Sequence, residues 1–235
     1  MTTINQTSAK LDKKGVLFLF LLGFLGSIVN NGFMWFSSFL SLCLYMDIII
    51  TITLVFIAGI LPGLVCAILS TAIYSILFYF VYGEPYYWAW YLFILCSITA
   101  VFIVRFFIYF FPAECKKVQI IPDNPLSESQ KKRQIFGIFI MLTILSLVMS
   151  ILISVVGGLI STGINMASNV VPTNIPPETW FRMGFIRQGF SLLPSEILGR
   201  IPVNMADKSI SVFCGYGIAL LIKKFWKSKA LPGAQ

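Results

Sequence analysis

The chain has 235 residues, of which 58% are apolar and only 11% charged, with a mean hydropathy of +0.89. Soluble domains carry about 25% charged residues, so a soluble class is excluded and a membrane protein is expected. The net charge of +8 is confined to the ends of apolar runs, which fits anionic headgroups or an acidic partner better than nucleic acid.

Residues 15–38 form the first apolar run, preceded by Lys10, Lys13 and Lys14. It starts like a signal peptide, but only Asn30-Asn31-Gly32 follows, with no small-x-small cleavage site, so an uncleaved span is expected. The second run, 46–61, ends at Leu61-Pro62-Gly63, where proline removes a backbone donor and glycine permits a tight reversal. Residues 64–82 are the third. Gly83-Glu84-Pro85 then leads into Tyr86, Tyr87, Trp88, Trp90 and Tyr91, residue types that gather where hydrocarbon meets headgroups. The fourth run, 88–111, ends at Pro112 and enters a basic loop, 113–135. The fifth, 136–164, is longer than the roughly 20 residues that cross a bilayer, so tilting or loosening at Gly157-Gly158 is expected. A polar segment, 165–200, precedes the last run, 201–222, and a basic tail, 223–235.

Six transmembrane helices place both termini on one side. The lysine clusters at 10–14, 116–132 and 223–229 then all face the cytoplasm, as the positive-inside rule requires. The expected architecture is an all-α membrane protein in the cell (plasma or inner) membrane, multi-pass. It consists of a cytoplasmic tail 1–14, one six-helix domain 15–222, and a cytoplasmic tail 223–235. Segments 83–87 and 165–200 are expected outside.

The chemistry is sparse. The chain has no histidine, no GxxxxGK[ST] and no HExxH, and Cys43, Cys66, Cys96, Cys115 and Cys214 are scattered without CxxC spacing. Neither an enzyme nor a metal, cofactor or disulfide site is expected. Charges within spans are the functional candidates. Arg105 is close enough to Pro112 for its stem to snorkel to the interface. Asp47 and Lys208 each lie about 22 Å from the cytoplasmic side, counting along their helices. At equal depth they form either a structural ion pair or the polar floor of an outward-facing pocket, and Asp207 could replace Asp47 in either role.

In the outer segment, Glu196 and Arg200 are spaced as a local helical pair, and Glu178 lies four residues before Arg182. Arg187 has no acid at such a spacing. Guanidinium groups bind carboxylate or phosphate bidentately. Arg182 and Arg187, with Trp180, Tyr87 and Trp88, are therefore candidate contacts for a planar or acidic small molecule; the alternative is a solvated loop touching headgroups. In the first span, Gly23 and Ser27 are spaced so that another helix could approach closely.

The hairpin from Asp47-Ile48-Ile49 through Gly59-Ile60-Leu61-Pro62-Gly63-Leu64 to Ser70 resembles that of the S components of energy-coupling factor (ECF) transporters. Asp207-Lys208-Ser209-Ile210-Ser211-Val212 resembles their Asp-Lys-rich final helix. The resemblance implies a substrate-binding subunit that captures a vitamin-like micronutrient outside. Uptake would be driven by a transmembrane coupling subunit and two cytoplasmic ATPases. It implies a partner contact on the first helix, where the family's Ala-xxx-Ala stands here as Gly23-xxx-Ser27. The competing reading is a membrane sensor or scaffold that binds a ligand through its outer loop without transport. A self-contained secondary transporter ranks third, because it would need broken helices or coupling carboxylates at the midplane.

Overall fold

A computed structural model of the chain describes residues 13–40, 42, 44–82, 88–111, 128–167 and 178–229. Tyr87, the rest of segment 83–87, most of the basic loop 113–135 and the outermost tails lie outside the described residues, as does the side chain of Trp88. All regular structure among the described residues is helical. The helices are α1 (Lys13–Phe39), α2 (Ile49–Ala58), α3 (Ile60–Tyr82), α4 (Ile94–Phe110) with a 3-10 turn before it (Trp88–Phe93), α5 (Glu128–Ala167), α6 (Glu178–Arg187) and α7 (Leu192–Lys229).

Among the described residues, five helical stretches are long and apolar enough to cross a membrane: Lys13–Phe39, Ile60–Leu77, Ala89–Phe110, Lys132–Ala167 and Leu192–Phe225. The chain is thus a multi-pass membrane protein by composition and helix length. The second run differs from the expected 46–61 span. Only its ten residues Ile49–Ala58 are helical, about 15 Å of rise and half of a hydrocarbon core. Its reversal comes at Gly59, whose φ of +92° is a conformation that side-chain-bearing residues avoid. Pro62 instead sits in the first turn of α3, where no backbone bond is lost.

Contacts fix the helix directions. Thr51 Oγ1 donates to Cys66 Sγ at 3.4 Å, and a Cβ on Gly63 would lie 2.4 Å from Val55, so α2 and α3 form a tight antiparallel hairpin. Gly23 of α1 faces Pro62 and Val65, while Asn31 donates to the Ser70 carbonyl at 3.2 Å, so α1 runs parallel to α3. Thr53 Oγ1 donates to the Gly215 carbonyl at 3.0 Å and Lys223 Nζ to the Phe56 carbonyl at 3.2 Å, aligning α7 with α2. The start of α1 and the end of α7 therefore share one end of the bundle, which carries the lysines.

The most extensive helix pair is α5 with α7. Ser146, Ser150, Ser154, Gly158 and Thr162 recur every four residues and form one buried edge of α5. Small side chains at that spacing let helices approach closely. Ser150 Oγ donates to the Asn204 carbonyl at 3.0 Å, Asn204 Nδ2 donates to Ser154 Oγ at 2.8 Å, and a Cβ on Gly158 would meet Ile197 at 2.6 Å. The expectation that Gly157-Gly158 loosens the fifth span is corrected: α5 is continuous there, and the glycines admit α7. The last helix likewise begins at Leu192 rather than residue 201, running through Pro202.

Gly23 and Ser27 are buried within the bundle, and a Cβ on Gly23 would stand 2.8 Å from the Pro62 carbonyl oxygen of α3. Their assignment as a contact for another chain is therefore corrected: the small residues serve packing within the bundle. Toward the lysine end an apolar core of Ile52, Val55, Val101, Leu145, Met149, Val212 and Tyr216 fills the interior.

Candidate functional site

The interior face of α7 changes character along its length. Toward the lysine end it presents Val212, Tyr216 and Ala219; toward the opposite end it presents Glu196, Arg200, Asn204, Asp207, Lys208 and Ser211, all buried. Buried charges require partners, and two groups of ion pairs supply them.

The inner group centres on Lys208, whose Nζ donates to Asp47 Oδ1 at 2.7 Å and to Asp207 Oδ2 at 2.6 Å. Asp207 is wholly buried, whereas the Asp47 side chain keeps 26% of its surface exposed. The sequence offered Asp207 as a substitute for Asp47; the structure brings both to the same ammonium. The Tyr45 ring lies 5.6 Å from Lys208 Nζ, within the range of a cation–π contact.

The outer group crosses over relative to the sequence spacings. Arg182 Nη1 bonds Glu196 Oε1 at 2.6 Å, and Arg200 Nη1 bonds Glu178 Oε1 at 2.8 Å. The expected local pair, Glu196 with Arg200, is a looser 3.9 Å contact. Asn165 Nδ2 also donates to Glu196 Oε1 at 2.8 Å, and the Arg200 guanidinium lies 5.5 Å from the Phe93 ring. The crossing arises because α6 folds back on α7 so closely that a Cβ on Gly199 would meet the Arg182 backbone nitrogen at 2.8 Å. Each acid then finds its base on the neighbouring helix.

A strap of non-helical chain, residues 44–48, joins the two groups. The Leu44 carbonyl accepts from Ser37 Oγ, and the Tyr45 hydroxyl donates to Glu178 Oε2. The Met46 N–H donates to Asp207 Oδ1 at 2.8 Å, and the Asp47 carbonyl accepts from Asn30 Nδ2. Met46 has φ of 52°, an uncommon left-handed conformation for a residue with a long side chain. Asn30, fully buried on α1, also accepts from the Ile50 N–H at 3.1 Å. It thereby satisfies one of the orphan donors at the start of α2, which has no side-chain cap from its own N-cap residue.

Of the residues singled out in the sequence, the structure gathers Asp47, Asp207, Lys208 and Arg182 into this network. It leaves Arg187 and Trp180 on the exposed face of α6. Arg182, a candidate ligand contact, bonds Glu196 through Nη1. Tyr45, Asn30 and Asn165 were missed. Tyr45 stood two residues before Asp47 and was visible only as an apolar residue; Asn30 and Asn165 had no charge to draw notice. Among the described residues, no group of three or more His, Cys, Asp or Glu side chains is placed to hold a metal ion.

Formally the network holds four carboxylates, Asp47, Glu178, Glu196 and Asp207, against three bases, Arg182, Arg200 and Lys208. One negative charge is unbalanced, and Asp47 is its most accessible carboxylate. Arg182 Nε, Arg200 Nε, Glu196 Oε2 and Thr162 Oγ1 are buried without a hydrogen-bond partner among the described residues. Most buried polar atoms in folded proteins have a partner, so these stand out. Comparison with protein-family models, curated proteins and solved structures finds no match to this chain.

Proposed function

We propose that the chain is the substrate-binding subunit of an ECF-type transporter in the cell membrane. It has six membrane-embedded helical segments, with α2 as a half-length one, and both termini are cytoplasmic. It captures a small micronutrient from outside and relies on a coupling subunit and two ATPases for energy. It is not itself an enzyme. The observation that carries this reading is the buried network at the end opposite the lysines, with its surplus carboxylate and unused donors. Intramembrane ionisable groups cluster at functional sites, since each is costly to bury.

The same network redirects the substrate class. Arg182 and Arg200 are already charge-balanced by acids, which weakens the case for an acidic ligand there. A ligand bearing an ammonium or hydrogen-bond-donor group against Asp47 balances the surplus charge. The internal pairing of the outer arginines favours the second reading, a scaffold or sensor whose network is purely structural. Mass spectrometry of small molecules released from the purified protein separates the two. A transport subunit yields a retained compound and copurifies with ATPase-containing partners. Recovery without any retained small molecule, or with partners lacking an ATP-binding motif, overturns the transport reading.

A further inference from the structure

Helix α6 turns two different faces to its surroundings. Glu178, Arg182 and Phe185 share the inner face, where Glu178 and Arg182 are ion-paired to the network and Phe185 packs on Phe190 at 5.6 Å. Trp180, Met183 and Arg187 follow one another at helical spacing on the opposite face, and all are exposed, Trp180 by 76%. Gly184 lies beside them, where an added Cβ would meet nothing within 4 Å. Arg187 has no ion pair among the described residues. The outer face thus combines large apolar side chains with one uncompensated cation.

Its height is set by α7. Counted along that helix, Arg200 and Glu196 lie roughly 34 and 40 Å from Lys223. Hydrocarbon is about 30 Å thick and the bilayer with its headgroup layers about 40–45 Å. The crossed pairs, Glu178 with Arg200 and Arg182 with Glu196, set α6 antiparallel to the start of α7, so Trp180 and Met183 lie at about this level and Arg187 about one turn farther out. Exposed Leu159 and Met166 on α5 and Leu193 on α7 continue the apolar outer surface of the bundle up to it.

We infer that the outer face of α6 is a phospholipid contact lying in the headgroup layer, with Trp180 and Met183 entering the acyl-chain boundary and Arg187 binding lipid phosphate. Tryptophan favours that boundary because its ring is apolar and its N–H polar, and guanidinium matches phosphate geometry. This assignment is independent of the substrate reading and removes Arg187 from the candidate ligand contacts.

The test uses the full chain in lipid nanodiscs. The fluorescence component lost in Trp180→Phe is expected to be quenched by phospholipids brominated high on the acyl chain and shielded from aqueous acrylamide. Quenching by acrylamide but not by brominated lipid overturns the proposal, and shielding from both assigns the face to a protein partner and also overturns it. In native mass spectrometry, Arg187→Gln is expected to reduce the preference for retained phosphatidylglycerol over phosphatidylcholine by about fivefold. Inorganic phosphate should leave the wild-type preference unchanged. Unaltered retention in Arg187→Gln, or displacement of lipid by inorganic phosphate, refutes the lipid-phosphate role.

Discussion

Lys208 holds two carboxylates at once, Asp47 at 2.7 Å and Asp207 at 2.6 Å, and the two differ in what else they do. Asp207 is fully buried and also anchors the strap through the Met46 N–H. Asp207→Ala is therefore expected to lower stability by about 3–5 kcal/mol, the range for breaking a buried pair. Asp47→Ala leaves Lys208 with Asp207 and removes a partly exposed group, so about 1.5 kcal/mol is expected. Denaturant unfolding in detergent gives both values. Lys208→Ala combined with Asp207→Ala should lose less than the sum of the single changes; full additivity would mean the contact carries no energy.

The Tyr45 hydroxyl is the only strap group among the described residues that is bonded to α6. Tyr45→Phe removes that bond and leaves the ring over Lys208. The strap amides at 44–48 should then exchange with deuterium about tenfold faster, the equivalent of about 1.4 kcal/mol for a bond to a charged acceptor. Unchanged exchange would show that the strap is held without Glu178.

Two glycines on α5 should respond in opposite directions to alanine. At Gly158 the new methyl would meet Ile197 at 2.6 Å and its backbone at 3.0 Å; at Gly163 nothing lies within 4 Å. Gly158→Ala is expected to destabilise by about 1–3 kcal/mol through overpacking. Gly163→Ala should be neutral or stabilising by up to about 1 kcal/mol, because alanine is the better helix former. Thermal aggregation of the two variants side by side is sufficient, and equal effects would contradict the close α5–α7 approach.

Gly23→Leu provides the sharpest contrast between a packing face and a partner face. With Pro62 backbone and Val65 already within 2.8 Å of the position a Cβ would take, leucine cannot be accommodated without separating α1 from α3. Folded protein should be lost in size-exclusion profiles before any question of complex formation arises. A well-folded variant that only fails to bind a coupling subunit would restore the partner role.

Depth counting along two apolar runs was enough to bring Asp47 and Lys208 together, because helical rise is uniform and charges in hydrocarbon must meet. The same counting failed on the strap. Tyr45-Met46-Asp47-Ile48 reads as the apolar start of a span, and nothing local announces that Met46 takes a left-handed conformation. The crossed pairing of Glu178 with Arg200 and Glu196 with Arg182 was illegible for a related reason: spacing along one helix favours the local partner, and only the tertiary return of α6 supplies another. The Ser146-to-Thr162 ladder, by contrast, was present in the sequence as a strict four-residue period. The small-residue pattern of α1 is shorter and less regular.

The strap also has a consequence for biogenesis. Asp47 and Lys208 are 161 positions apart, and so are Met46 and Asp207. During synthesis α1 and the α2–α3 hairpin therefore reach the membrane well before the residues that hold the strap closed exist. Until α7 is inserted, Asp47 has no ammonium to pair with and the Met46 amide has no carboxylate. Closure of the strap thus reports arrival of α7, which gives a marker by which its docking onto the earlier helices can be timed.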